Sequence, residues 1–278
     1  MVTGSGAGVR PSWLVALVPV QMTLMVGLGI AVTSAQEGDR LTAVEGRVVR
    51  GALAFRGSTV DGLSEWFSAL AGTEAVVGMT LVCVTALLTL SGGRRGREAA
   101  FLGAAVAVQS ATFLVVTLCV QRPRPDVPHL DMAPPTSSFP SGHVGASVAL
   151  YGGLAVLSLT RVRSAWRYAA LVLLLVPAAV GLSRMYRGMH HPTDVVGGLV
   201  NGALTLIIVG SVFLSARSPG GERALHPAAQ VGMGPAGRRT GSTRHRHSGL
   251  PAPKELAARA AQPLPHPTRS PKHTQTGR

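Results

Sequence analysis

The chain has 278 residues, of which 46% are hydrophobic and only 14% charged, and its mean hydropathy is +0.32. A soluble domain carries about 25% charged residues, so this composition excludes a single water-soluble globule, and so much apolar sequence also excludes disorder throughout. The formal net charge of +14 is uneven: residues 217–278 hold eleven basic residues, including both lysines (Lys254 and Lys272), against Glu222 and Glu255. That tail has no Phe, Tyr or Trp on which a base would stack. Its charge therefore suits a solvated segment beside an anionic membrane surface, with no nucleic-acid partner. Cys83 and Cys119 both lie in apolar runs, which excludes a disulfide framework, and their spacing makes no zinc site.

Six apolar runs follow in chain order, near residues 13–32, 67–90, 99–120, 144–159, 165–182 and 195–214. A membrane-spanning helix needs roughly 17–25 mainly apolar residues, and these runs are apolar all round rather than along one stripe. The pattern predicts an all-α, six-span transmembrane helical bundle. The first run is too long for a signal-peptide core of roughly 7–15 residues and reads as an uncleaved span. Arg94, Arg95 and Arg97 crowd the second link, and Arg161, Arg163 and Arg167 surround the fourth. Together with Arg10 and the basic tail they mark the cytoplasmic side, although Arg40, Arg47, Arg50 and Arg56 lie in the first link on the other side. The division expected is a short cytoplasmic N-terminus (1–10), a six-span membrane domain (11–215) in the plasma membrane, and a disordered basic cytoplasmic tail (216–278).

The chemistry concentrates in two links. The third contains Arg122-Pro123-Arg124-Pro125 and ends in Pro140-Ser141-Gly142-His143; the fifth runs from Ser183-Arg184 through His190-His191 to Asp194. Two crossings separate these links, so they share one face of the membrane in either orientation. Arginine forks match phosphate oxygens. Ser141 and Gly142 stand at a helix start, where free N–H groups and the positive dipole end attract anions. His143 and His190 supply groups that act as nucleophile, acid or base near neutral pH. Asp194, four residues after His190, can hold one ring nitrogen and leave the other as nucleophile. The expected product is an oxyanion pocket between two histidines.

Pro140-Ser141-Gly142-His143 and the set Ser183, Arg184, His190, Asp194 resemble the second and third signatures of the type 2 phosphatidic acid phosphatases, which share a core with vanadium haloperoxidases. The first signature, K-x6-R-P, is partial: Arg124-Pro125 matches, but Thr117 stands at the lysine position. The resemblance covers about residues 67–215. It implies a metal-free, cofactor-free hydrolase of lipid phosphates or diphosphates, whose partners are its lipid substrate and the membrane lipids. His190 would form a phosphohistidine, Asp194 would orient it, and His143 would act as acid and then base. Arg124, Ser141, Gly142 and Arg184 would hold the phosphoryl oxygens, with Arg122 a candidate replacement for the lysine charge. Asp126, His129, Asp131, Arg187 and His191 carry no assigned role. Two other readings share these residues: a vanadate-dependent haloperoxidase, and a non-catalytic membrane binding or scaffold protein. The sequence leaves the lipid and the oligomeric state open.

Overall fold

The computed structural model describes residues 12–36, 39–162 and 165–215, and every regular element among them is a helix. The N-terminal segment 1–10 and the basic tail from 216 lie outside the described residues. In order the helices are α1 (Ser12–Gln36), α2 (Asp39–Leu53), α3 (Ser58–Leu70), α4 (Thr73–Thr89), α5 (Gly96–Cys119) and α6 (Gly142–Arg161, with a π-helical turn over Val148–Gly152). A 3₁₀ segment (Ala165–Leu174) then runs into α7 (Leu175–Tyr186), and α8 (Pro192–Phe213) follows. α8 is the hub, with α1, α5 and α6 packed on it; α4 lies against α5, and α3 against α7.

The outer surfaces are apolar. Val15 on α1 is 78% exposed, Leu118 on α5 71% and Ile207 on α8 67%. In water such surfaces would drive association; in hydrocarbon they match the solvent, and the helices satisfy their own backbone groups. Polar side chains turn inward instead. Gln21 Nε2 on α1 donates to Asn201 Oδ1 at 2.8 Å and to Thr205 Oγ1 at 2.7 Å on α8. Such interhelical bonds contribute about 0.6 kcal/mol each on average, so close packing has to supply the rest. Gly198 and Gly202 allow it, one turn apart on α8. A β-carbon at Gly198 would sit 2.6 Å from the Ser141 carbonyl, and one at Gly202 2.5 Å from Val148 Cβ, so α6 lies directly against the α8 backbone.

The all-α membrane architecture agrees with the sequence, but individual runs do not map one to one onto straight helices. Among the described residues, four helices are long and apolar enough to span a bilayer: Ser12–Ala35, Gly96–Cys119, Gly142–Arg161 and Pro192–Phe213. The second run, 67–90, is broken at Ala71-Gly72 into α3 and α4, which meet at 49° and make a fifth candidate only as a bent pair. The fifth run opens as a 3₁₀ helix, and its apolar helix, Ala170–Tyr186, falls short of a full straight span. The first link is also not a loop. It holds α2, which buries Glu45 and Val49 one turn apart and leaves Val44, Arg47 and Val48 exposed. That i, i+4 pattern presents one face of α2 to the bundle, and the face presented carries a carboxylate.

Candidate active site

Local structure brings the third and fifth links together at one end of α8. Phe139 is fully buried in a slot between α1 and α8, where Gly29 and Gly197 give it room; β-carbons there would come within 2.8 and 2.4 Å of its ring. This seat fixes the approach to Ser141, whose backbone N–H donates to the Asp194 carbonyl at 2.9 Å, tying the start of α6 to the first turn of α8. On the other side, α7 ends at Tyr186 and is followed by Gly188, whose φ of 76° lies in the left-handed region that glycine adopts without strain. The Met189 N–H returns to the Arg184 carbonyl at 3.0 Å, which closes α7 and directs the chain to His190.

Asp194 lies at the centre and is completely buried. Its carboxylate accepts from Arg122 Nη1, from Ser138 Oγ and from the His191 backbone N–H, the last at 2.8 Å. Arg122 is 2% exposed and pairs at the same time with Glu45 of α2, Nη2 to Oε2 at 2.7 Å. Glu45 Oε1 accepts from Thr193 Oγ1 at 2.5 Å. Glu45, Arg122 and Asp194 thus form a buried chain of alternating charge that crosses three segments of sequence.

This network corrects one expectation and refines another. Arg122 does not line the pocket as a substitute for the family lysine; it is committed to two carboxylates behind the site. Asp194 faces the Nδ1 side of His190, as expected, but shares it with the Ser138 carbonyl. Nδ1 is 2.9 Å from the Ser138 carbonyl but 3.6 Å from Asp194 Oδ2, so the hydrogen bond goes to the carbonyl and Asp194 acts through its charge. Both neighbours of Nδ1 are acceptors, so Nδ1 carries the hydrogen and Nε2 keeps the lone pair. Burial pushes the His190 imidazole below its ordinary value of 6.5, against the pull of the Asp194 charge, so the ring is neutral at pH 7. Thr117 supplies nothing in place of the lysine: its hydroxyl donates to the Leu114 carbonyl at 2.9 Å, away from the cavity.

The remaining candidates gather around one cavity of about 610 Å³. Arg124, Gly142, His143, Arg184 and His190 all line it. Arg124 Nη1 is held by the Met189 carbonyl at 2.8 Å, and Arg184 Nη1 by Ser68 Oγ at 2.7 Å and Asp131 Oδ2 at 2.6 Å. Burial lowers Arg124 from its ordinary value while the Asp194 charge opposes the shift. The buried Nε atoms of Arg124 and Arg184, with Ser141 Oγ, have no hydrogen-bond partner among the described residues. Unsatisfied buried donors are costly, and those of Arg124 and Arg184 lie beside the cavity that both residues line. Burial alone would raise Asp131, but the hydrogen bonds of Arg187 and the charges of Arg184 and Arg187 outweigh it and hold the carboxyl below its ordinary range. Asp131 therefore fixes both arginines. His191 faces Glu45, Nδ1 to Oε2 at 3.6 Å, and His129 Nε2 meets the Pro125 carbonyl at 3.1 Å.

Sequence reasoning missed Glu45, Ser138 and the role of Asp131. The one signal for Glu45 is an isolated acid at helical spacing from Val49 on the buried face of α2; Ser138 and Asp131 sit in irregular backbone with no period to betray them.

A helical membrane bundle that brings two histidines and two arginines to the wall of one cavity has the chemistry of an oxyanion-binding site. A model of the PAP2 superfamily matches residues 98–217. Over 142 residues the chain is 32% identical to the decaprenylphosphoryl-5-phosphoribose phosphatase of Mycobacterium tuberculosis, in an alignment that takes in 50% of this chain and 73% of that one. Its fold is that of a transmembrane PAP2-type phosphatidylglycerolphosphate phosphatase from Bacillus subtilis, with a TM-score of 0.60, 18% identity, and coverage of 68% of this chain and 94% of that chain. The chain belongs to the PAP2 superfamily and is a phosphoric monoester hydrolase.

The two neighbouring arginines should separate cleanly on mutation. Arg122→Gln leaves two buried carboxylates without their shared cation and is expected to destabilise the fold by about 3–5 kcal/mol. Arg124→Gln should leave the melting temperature within a few degrees but lower kcat by about 10²–10³, the usual effect of losing one oxyanion donor. Paired melting curves and kinetics check this; a stable Arg122→Gln protein would contradict the network.

Proposed function

We propose that this membrane phosphatase hydrolyses a phosphate or diphosphate ester carried by a lipid, without a metal ion, through a phosphohistidine on His190. The observation that carries the lipid reading is the shape of the cavity. Its polar end holds Arg124, His143, Arg184 and His190, while its wall continues along Val76 and Val77 of α4 and, on α5, Val106 and Phe113 with Gln109 and Ser110 between them. Phe113 and Val106 are two turns apart, so this mainly apolar wall runs about 10 Å down α5. A lipid would keep its chain against that wall while its headgroup enters among the arginines. Polyprenyl diphosphate, phosphatidic acid and phosphatidylglycerol phosphate share this design, as do the substrates that the relatives' names describe.

In the first step His190 Nε2 attacks phosphorus in line. The new N–P bond forms as the P–O bond to the lipid breaks, and His143 gives its proton to the leaving oxygen. In the second step His143 takes a proton from water, the hydroxide attacks the phosphohistidine, and phosphate leaves with its N–P bond broken. Arg124, Arg184, Ser141 Oγ and the Gly142 N–H hold the equatorial oxygens as their charge shifts. Asp194 and the Ser138 carbonyl keep Nδ1–H oriented and favour the positive charge that His190 gains on phosphorylation. The arginines already supply the field that a metal would bring. Against the haloperoxidase reading stand the lipid-facing helices and the missing lysine charge.

We further propose that residues 11–215 act as one membrane domain in the plasma membrane, with the catalytic end facing outward. The support is the arginine density of the opposite end, where Arg94, Arg95, Arg97 and Arg161 lie in or beside short links.

Phosphate release from a panel of lipid phosphates in detergent micelles, with excess chelator present throughout, tests the chemistry. Hydrolysis should persist in chelator, and His143→Ala should lose most on alkyl phosphates while recovering part of its rate on p-nitrophenyl phosphate, whose leaving group needs no proton. Equal loss on both, or a strict need for a divalent ion, would contradict it. For sidedness, single cysteines replace Thr59 or Arg94 in a Cys83→Ser/Cys119→Ser background. An impermeant thiol reagent on intact cells should label the cysteine at 59 and spare the one at 94; the reverse pattern would put the site inside.

A further inference from the structure

A second cavity, about 560 Å³, opens at the opposite end of the bundle from the catalytic one. It lies between the end of α4, the start of α5 and the end of α6. On α5 the nearest lining residues of the two cavities, Glu98 and Val106, are eight positions apart, about 12 Å at helical rise, and the arginines of the two cavities lie beyond opposite ends of that helix. The inner wall is apolar, with Cys83, Leu87, Leu154 and Leu157, and the rim carries Arg94, Arg95 and Arg161.

The rim is shaped by a turn. Gly92 and Gly93 take φ of 58° and 79°, and the Gly93 N–H returns to the Leu88 carbonyl at 2.8 Å. This double left-handed turn ends α4 and sets Arg94 and Arg95 directly before α5. Neither guanidinium makes a side-chain hydrogen bond or ion pair with a described residue. Arg161, by contrast, meets Glu98 at 3.3 Å. Three arginines against one glutamate leave a net charge of +2 over a greasy hollow.

We infer that this cavity is a binding site for an anionic phospholipid of the leaflet opposite the active site, its phosphodiester on Arg94 and Arg95 and one acyl chain along Leu87 and Leu157. Charge complementarity selects the occupant. An anion fits the rim, and a chain fits the wall. A segment of like charge, such as one with the +9 of residues 217–278, does not complement this rim. Basic pockets between membrane helices hold lipid headgroups by this combination, and arginine forks suit a phosphodiester better than ammonium points. Among the described residues no histidine lines this cavity, and the proposal is for binding alone. The inference goes beyond the phosphatase reading and does not depend on it.

The test uses the full chain in neutral maltoside micelles, with dioleoyl phosphatidylglycerol titrated in and bound lipid counted by native mass spectrometry. The Arg94→Gln/Arg95→Gln/Arg161→Gln protein should bind at least about tenfold more weakly, since the anionic headgroup loses all three of its cations. Ser158→Trp, which fills the hollow and leaves every arginine in place, should do the same and stands in if the triple variant does not fold. Arg124→Gln/Arg184→Gln, which disables the catalytic pocket, should bind as the wild type does. Phosphatidylcholine should bind weakly, and inorganic phosphate should not compete at millimolar concentration. Both cavity variants should hydrolyse p-nitrophenyl phosphate at the wild-type rate, which keeps this result separate from the phosphatase assay. Unchanged binding in the cavity variants overturns the inference. So does binding lost in Arg124→Gln/Arg184→Gln, which would put the lipid in the catalytic pocket, or full competition by inorganic phosphate.

Discussion

A buried carboxylate with no water to solvate it has to be satisfied by the protein, and in this fold that requirement organises the site. Asp194 is fully buried and accepts from Arg122, Ser138 and the His191 N–H. Those donors come from the third link and from the start of α8, and Arg122 also draws in Glu45 from α2. Removing a charge from water costs several kcal/mol, which only good geometry recovers. The consequence is positional: Ser138 is held where its carbonyl meets His190 Nδ1, and the Ser141 N–H is held on the Asp194 carbonyl. One side chain thus sets the tautomer of one histidine and the register of the helix that carries the other. Its influence on His190 is electrostatic and indirect, at 3.6 Å, which differs from a direct carboxylate–imidazole bond.

The bundle serves this arrangement by keeping its interior polar where links must meet and its surface apolar where lipid must touch. Small residues make the approach close enough: Gly197 admits the ring of Phe139, and Gly198 admits the Ser141 carbonyl. Both lie in the first two turns of α8, beside Asp194. The same helix therefore supplies the anchor, the slot and the contact surface, which explains why three other helices pack on it.

Much of this was legible in the sequence. Long apolar runs mark α1, α5, α6 and α8 because a bilayer demands a fixed apolar length, and His143, His190, Arg124 and Arg184 stand at run boundaries where links must lie. The break at Ala71-Gly72 was not legible, since 67–90 stays apolar throughout and a single small-residue step carries the 49° bend. Arg122 read as a phosphate ligand because it neighbours Arg124; in extended backbone adjacent-but-one residues share a side, and only the irregular path of the link sends Arg122 inward while Arg124 faces the cavity. Glu45 was hidden by distance, lying 77 residues before Arg122. Long-range ion pairs leave no period in a sequence.

In the proposed chemistry Nε2 of His190 is the atom that becomes phosphorylated, its lone pair free because Nδ1–H is held by the Ser138 carbonyl. Rapid acid-free quench of the enzyme with a phosphorus-32 labelled lipid phosphate, followed by alkaline digestion and peptide mapping, measures this directly. The account predicts a base-stable, acid-labile label on the peptide that contains His190, formed in the first turnover and lost in His190→Ala. A label on the peptide of His143 instead, or steady hydrolysis with no labelled protein at any quench time, would contradict it.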